Sequence, residues 1–99
     1  MKLRRLAPVD VELDEAVRYY AAIEPQLGQR VFREFEDALD RIVQFPEGWR
    51  QLTPKLRQCR LRSFPYVVIY TVHPAGIVVI ALANTHRHPN YWKSRLPSA

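Results

Sequence analysis

A chain of 99 residues allows one domain around one modest core, and a hydrophobic share of 47% favours folding over disorder. It lacks the run of roughly eighteen apolar residues that a membrane-spanning helix needs. Its basic start, Met1 to Leu6, leads into Asp10, Glu12, Asp14 and Glu15 rather than the apolar stretch of a signal peptide.

Leu3 to Leu6 reads as a short first strand, ended by Pro8. Asp10 is the expected N-cap of a helix, because its carboxylate can accept bonds from the free amides of the next turn. Leu13, Ala16, Val17, Tyr20 and Ile23 then recur at three- and four-residue spacing, the period of an amphipathic helix. Glu24-Pro25 breaks that run, and a second helix is expected from Pro25 or Gln26 to Gln44. Its apolar face carries Leu27, Val31, Phe35, Ala38, Leu39 and Ile42, widened by Phe32 and Val43, and Gly28 reads as a weak point in its first turn. Phe45-Pro46-Glu47-Gly48 stops it, and so short a link between the two helices predicts an antiparallel hairpin.

From Trp49 the period changes. Trp49 to Leu56, with Pro54, reads as a loop. Cys59 and Leu61 alternate with Arg60 and Arg62, as in a half-buried strand that puts both arginines on one face. Val67 to Val72 is a β-branched central strand, His73-Pro74-Ala75-Gly76 a tight hairpin, and Ile77 to Ala83 the next strand. A short helical turn and a loose end are expected in the tail. The order is β-α-α-β-β-β: an α+β domain with a helical hairpin packed on a small antiparallel sheet.

The net charge of +5 is unevenly spread. Residues 1–47 hold seven Lys/Arg and all ten acids, net −3, whereas residues 48–99 hold eight Lys/Arg and no acid, net +8. An acid-free half points to an anionic partner, either nucleic acid or an acidic protein. The single Cys59 forms no internal disulfide and fits a reducing cytoplasm, as a small buried hydrophobe rather than a nucleophile. His86 and His88 lie two apart with no acid or thiol nearby, so no metal site is expected, and the three scattered glycines make no phosphate loop. Tyr19 and Tyr20 cannot both face the core, which leaves one for a partner.

Four stretches carry a resemblance. Tyr19-Tyr20 with Pro25-Gln26-Leu27-Gly28-Gln29-Arg30-Val31-Phe32 comes first, then Phe45-Pro46. Arg60-Leu61-Arg62-Ser63-Phe64-Pro65-Tyr66-Val67-Val68-Ile69-Tyr70 follows, and Ile80-Ala81-Leu82-Ala83 with His86-Arg87-His88-Pro89 and Tyr91-Trp92 closes the series. In this order, on these elements, they resemble the RelE/ParE toxin superfamily of bacterial type II toxin–antitoxin systems.

The resemblance implies a growth-inhibiting toxin in the cytoplasm, with no cofactor and no membrane partner. RelE-like members are ribosome-dependent mRNA endonucleases, whereas ParE-like members are associated with poisoning DNA gyrase. For a nuclease it assigns Arg62 to the phosphate, His86 to proton transfer and Tyr91 (or Trp92) to the C-terminal tyrosine's place. RelE-like enzymes carry lysines on or near the loop before the second strand, where this chain offers only Lys55, with Arg50 and Arg57 nearby. Its Tyr91-Trp92 pair after Pro89 and its Tyr19-Tyr20 hairpin look ParE-like, so the expectation is a toxin that binds gyrase without cleaving a bond. An mRNA endonuclease and a toxin with some other target are the alternatives. A cognate acidic antitoxin is expected in a groove between hairpin and sheet, with Tyr20, Phe32 and Phe35 as apolar anchors and Arg60, Arg62 and Arg87 as cations. Trp92 is either a further binding residue or, with Tyr91, a cover for the sheet edge. Operator DNA is expected to be contacted only through the antitoxin.

Overall fold

Prolines set where both helices begin. The computed structural model describes residues 2–87 and 91–95, so the expectations for His88, Pro89 and the last four residues lie outside the described part. Helix α1 runs Ala7–Ile23, with Pro8 in its first turn and Leu6 in extended backbone as its N-cap. Asp10 is therefore not the cap. It sits inside the first turn, near the positive end of the helix dipole, and pairs with Arg5 at 3.0 Å. Helix α2 runs Pro25–Gln44, and Glu24 between the two is extended, which folds the chain back into a hairpin.

α1 buries Val9, Leu13 and Ala16, whereas α2 buries Gly28, Val31, Phe35, Ala38, Leu39 and Ile42. Gly28, a poor helix former in the first turn, is also the place where the helices touch. A Cβ there would lie 2.8 Å from the Ala21 Cβ and 2.9 Å from the Val17 carbonyl oxygen.

The sheet has five strands rather than four, and it is mixed. They are β1 (Leu3–Arg5), β2 (Arg50–Thr53), β3 (Leu56–Arg60), β4 (Tyr66–His73) and β5 (Gly76–Asn84), in spatial order β1-β5-β4-β3-β2. β1 runs parallel to β5 and every other pairing is antiparallel. The stretch expected to be a loop supplies β2. Thr53 Oγ1 accepts the amides of Lys55 (3.2 Å) and Leu56 (3.1 Å), which closes a turn around Pro54 and lets Arg50 and Gln51 pair with β3. Gly76 starts β5 at φ +145, where a Cβ would strike the Lys2 carbonyl, so this turn needs glycine.

β4 and β5 are buried on both faces, as their near-continuous apolar runs require. The face carrying Cys59, Val68, Tyr70, Val79 and Leu82 packs under the helices. The opposite face carries Leu56, Val67, Ile69, Ala81 and Ala83 and is covered by Trp92, next to a 3-10 turn at Lys93–Arg95. Beyond the last β1 residue, the free edge of β5 is served by side chains. Glu12 Oε1 accepts the Leu82 amide at 3.0 Å, and Arg95 Nη1 donates to the Ile80 carbonyl at 3.2 Å. No helix among the described residues is long and apolar enough to cross a membrane.

Candidate functional site

The fold mixes the charges that the sequence separates. Arg95 from the basic half pairs with Glu12 on α1, and Arg62 pairs with Asp37 on α2. Arg62 Nε lies 3.1 Å from Asp37 Oδ2 and Arg41 Nε lies 3.0 Å from the same atom. The Arg62 bond and the two guanidinium charges hold the Asp37 carboxyl below the usual carboxylate range. One residue on, the Ser63 amide donates to Glu34 Oε1 (2.8 Å) and Ser63 Oγ accepts from Arg30 (2.8 Å). The bend between β3 and β4 is thus fastened to α2. β3 ends at Arg60, so Arg60 and Arg62 do not stand side by side on one strand face as the alternation predicted.

A cleft of about 530 Å³ opens between α1 and the end of β5. Tyr19, Tyr20, Tyr66, His86, Arg87 and Tyr91 line it, with Glu12 and Glu15 at one side. Tyr20 is its centre. It meets Tyr19 edge-on at 5.0 Å, Phe64 at 4.7 Å and Tyr66 at 6.4 Å, and it is half-buried while Tyr19 is exposed. Burial, reinforced by the adjacent Glu12 carboxylate, pushes the Tyr91 phenol up to about 12. Burial also raises Tyr66 and Tyr20. With pKa values raised above that of an ordinary phenol, these groups stay protonated near neutrality and offer hydrogen-bonding aromatic surface.

Of the three residues a nuclease would use, the cleft gathers His86 and Tyr91 but not Arg62. Of the predicted partner contacts, Tyr20 and Arg87 line it. Phe35 does not belong among them: it is fully buried between hairpin and sheet, with Arg5 over its ring at 5.6 Å. Phe32, two-fifths or more exposed, lies instead on the outer side of the hairpin with Val17, Ala21 and Gly28. Trp92 is buried against the far sheet face, the covering role that was one of its two expectations, and it lines a groove there. Glu12, Glu34 and Asp37, which organise this surface, were not singled out in the sequence, where they read as helix-surface acids.

A second groove, of about 360 Å³, lies on that far face. Val67, Ile69 and Ala83 form its floor, and Gln58, Arg87 and Lys93 stand on its rim. Burial raises the Cys59 thiol, which packs in the core as expected. Among the described residues no cluster of His, Cys, Asp or Glu is placed to hold a metal ion.

These features have known relatives. A family profile described as "ParE toxin of type II toxin-antitoxin system, parDE" matches residues 6–89. Two curated proteins called Toxin ParE2, from Mycobacterium tuberculosis strains CDC 1551 / Oshkosh and ATCC 25618 / H37Rv, are each 33% identical over 90 residues, covering 90% of this chain and 86% of theirs. A solved structure titled "Chromosomal ParDE TA system from P. aeruginosa" shares the fold, with a TM-score of 0.76 over 87% of this chain and 97% of that one, at 16% identity. The chain therefore belongs to the ParE toxin family of type II toxin–antitoxin systems.

Proposed function

We propose that this ParE toxin stops growth by binding and poisoning DNA gyrase in the cytoplasm, that it cleaves no bond itself, and that an acidic antitoxin neutralises it. The observation that carries the binding reading is the separation of Arg62 from His86 and Tyr91. Metal-free cleavage of RNA through its own 2′-hydroxyl needs a base, an acid and a phosphate-holding cation around one phosphorus. Here Arg62, the cation that the resemblance assigns to the phosphate, is engaged with Asp37 on α2, while the tyrosine that would pass a proton has its pKa pushed up to about 12. What the cleft offers instead is a ring of phenols around Tyr20, suited to holding a protein surface.

The test is a supercoiling assay with purified gyrase and toxin, read for lost supercoiling and for trapped cleaved DNA, beside mapping of mRNA 5′ ends in a translating extract. Inhibition with trapped DNA and an unchanged mRNA pattern supports the proposal. New mRNA ends that vanish with His86→Ala and Arg62→Ala would establish the endonuclease reading in its place. Operator DNA, on this reading, is contacted through the antitoxin.

A further inference from the structure

Glu12, Glu15 and Tyr19 follow one another at three- and four-residue spacing on α1, so they share one face of it, a wall of the cleft of about 530 Å³. One end of that wall already holds a cation. Arg95 meets Glu12 at 3.0 Å and stands over the Tyr91 ring at 5.3 Å, so one carboxylate and one phenol bind its guanidinium together. One turn further along α1 the same pair of groups recurs. Glu15 and Tyr19 are both exposed, and Tyr20 lies edge-on to Tyr19 at 5.0 Å and to Tyr66 at 6.4 Å. Glu15 joins no ion pair among the described residues. Arg87 lines the cleft from the end of β5 but stacks on none of its described rings.

We infer that this second place receives a guanidinium, the side chain of an arginine that a protein partner inserts into the cleft, with Glu15 as its counter-charge and Tyr19 and Tyr20 as its aromatic walls. An anionic group would face two carboxylates there, Glu12 and Glu15. An apolar side chain would strip water from Glu15 and offer nothing in return. Arginine fits better than lysine because a planar guanidinium can stack on a ring and bond a carboxylate at once, as Arg95 does. His86 and Arg87 stand at the opposite wall, which draws an entering cation to the α1 side. The inference rests on the reading that this cleft holds a protein partner, and it does not require that partner to be gyrase.

The experiment titrates the full chain with Nα-acetyl-arginine amide and, separately, with its uncharged counterpart Nα-acetyl-citrulline amide, following the ring-proton NMR signals of Tyr19 and Tyr20. Saturable shifts are expected with the arginine probe, at a dissociation constant on the order of 10 mM, and binding about fivefold weaker with citrulline. Glu15→Gln and Tyr19→Leu, at exposed positions outside the core, should each weaken arginine binding about fivefold. Asp14→Asn, the loss of a neighbouring acid that pairs with Arg18 away from the cleft, should change it less than about twofold. No saturable shift, equal affinity for the two probes, or equal weakening by Glu15→Gln and Asp14→Asn would overturn the inference. Gyrase inhibition uses neither probe, so that reading stands or falls separately.

Discussion

Glu12 and Arg95 lie 83 positions apart in the chain, yet their side chains meet at 3.0 Å and together do the work of a missing strand. β1 pairs with β5 only as far as Val79, where its ladder ends. The carboxylate then takes the Leu82 amide and the guanidinium takes the Ile80 carbonyl, so the edge of β5 exposes neither. Losing the acceptor leaves a part-buried amide unpaired, at a cost of about 1–3 kcal/mol. Glu12→Ala should therefore lower the melting temperature by roughly 5–15 °C. Glu12→Gln, which keeps an acceptor oxygen, should recover at least half. Equal melting points for Glu12→Ala and the parent would show that the edge does not depend on this bond.

Gly28 sits mid-contact between the helices, and helix propensity and packing pull in opposite directions there. Alanine favours a helix over glycine by about 1 kcal/mol. Its methyl, however, would press on the Val17 backbone carbonyl and the Ala21 Cβ, both closer than 3.0 Å. Overpacking of this kind costs about 1–3 kcal/mol. Packing should win, so Gly28→Ala is expected to destabilise by about 1 kcal/mol in urea denaturation. A stabilised variant would mean that the helices separate without penalty.

Asp37 gives a dependence on pH. Its folded-state pKa is depressed by the Arg62 bond and the charges of Arg41 and Arg62, so its contribution is present above the ordinary carboxyl pKa of about 4. That contribution is lost as pH falls through the lowered folded value. With the carboxylate side chain 44% exposed, solvent screening keeps it small, roughly 0.5–1 kcal/mol at neutral pH. The stability gap between the parent and Asp37→Asn should hold from pH 7 to about 5 and close in stronger acid. A gap that stays constant down to pH 2.5 would show that the Asp37 carboxylate does not contribute to stability through its charge.

Sequence pattern made much of the fold legible, because strong local chemistry stood behind it. Pro25 marked the break between helices, and the β-branched run of Val67 to Val72 marked the central strand. β2 was missed since Arg50-Gln51-Leu52-Thr53 has weak strand character and pairs only because Thr53 closes the turn. Asp10 looked like a cap, but a proline two places earlier had already started the helix. Phe32 and Phe35 sit on one wide apolar stripe, and only tertiary packing tells the buried ring from the exposed one. The charge split was plain in the chain. That Glu12 and Asp37 would reach across to Arg95 and Arg62 depends on contacts between distant residues, which no local pattern encodes.

His86 and Tyr91 separate binding from catalysis. In a toxin that works by contact, Tyr91→Phe keeps the aromatic ring and should leave growth inhibition within about threefold of the parent. His86→Ala should likewise be tolerated, as an exposed turn residue at the cleft rim. In a toxin that uses these groups for proton transfer, either change should cost about a hundredfold. Induced growth curves for soluble variants, expressed to equal levels, distinguish the two.

The most direct measurement is gyrase supercoiling in the presence of the purified parent protein. Lost supercoiling together with gyrase-linked cleaved DNA is expected, both reversed when the antitoxin is added. Undisturbed supercoiling at toxin in tenfold excess over gyrase, from a preparation that still arrests growth, would contradict it.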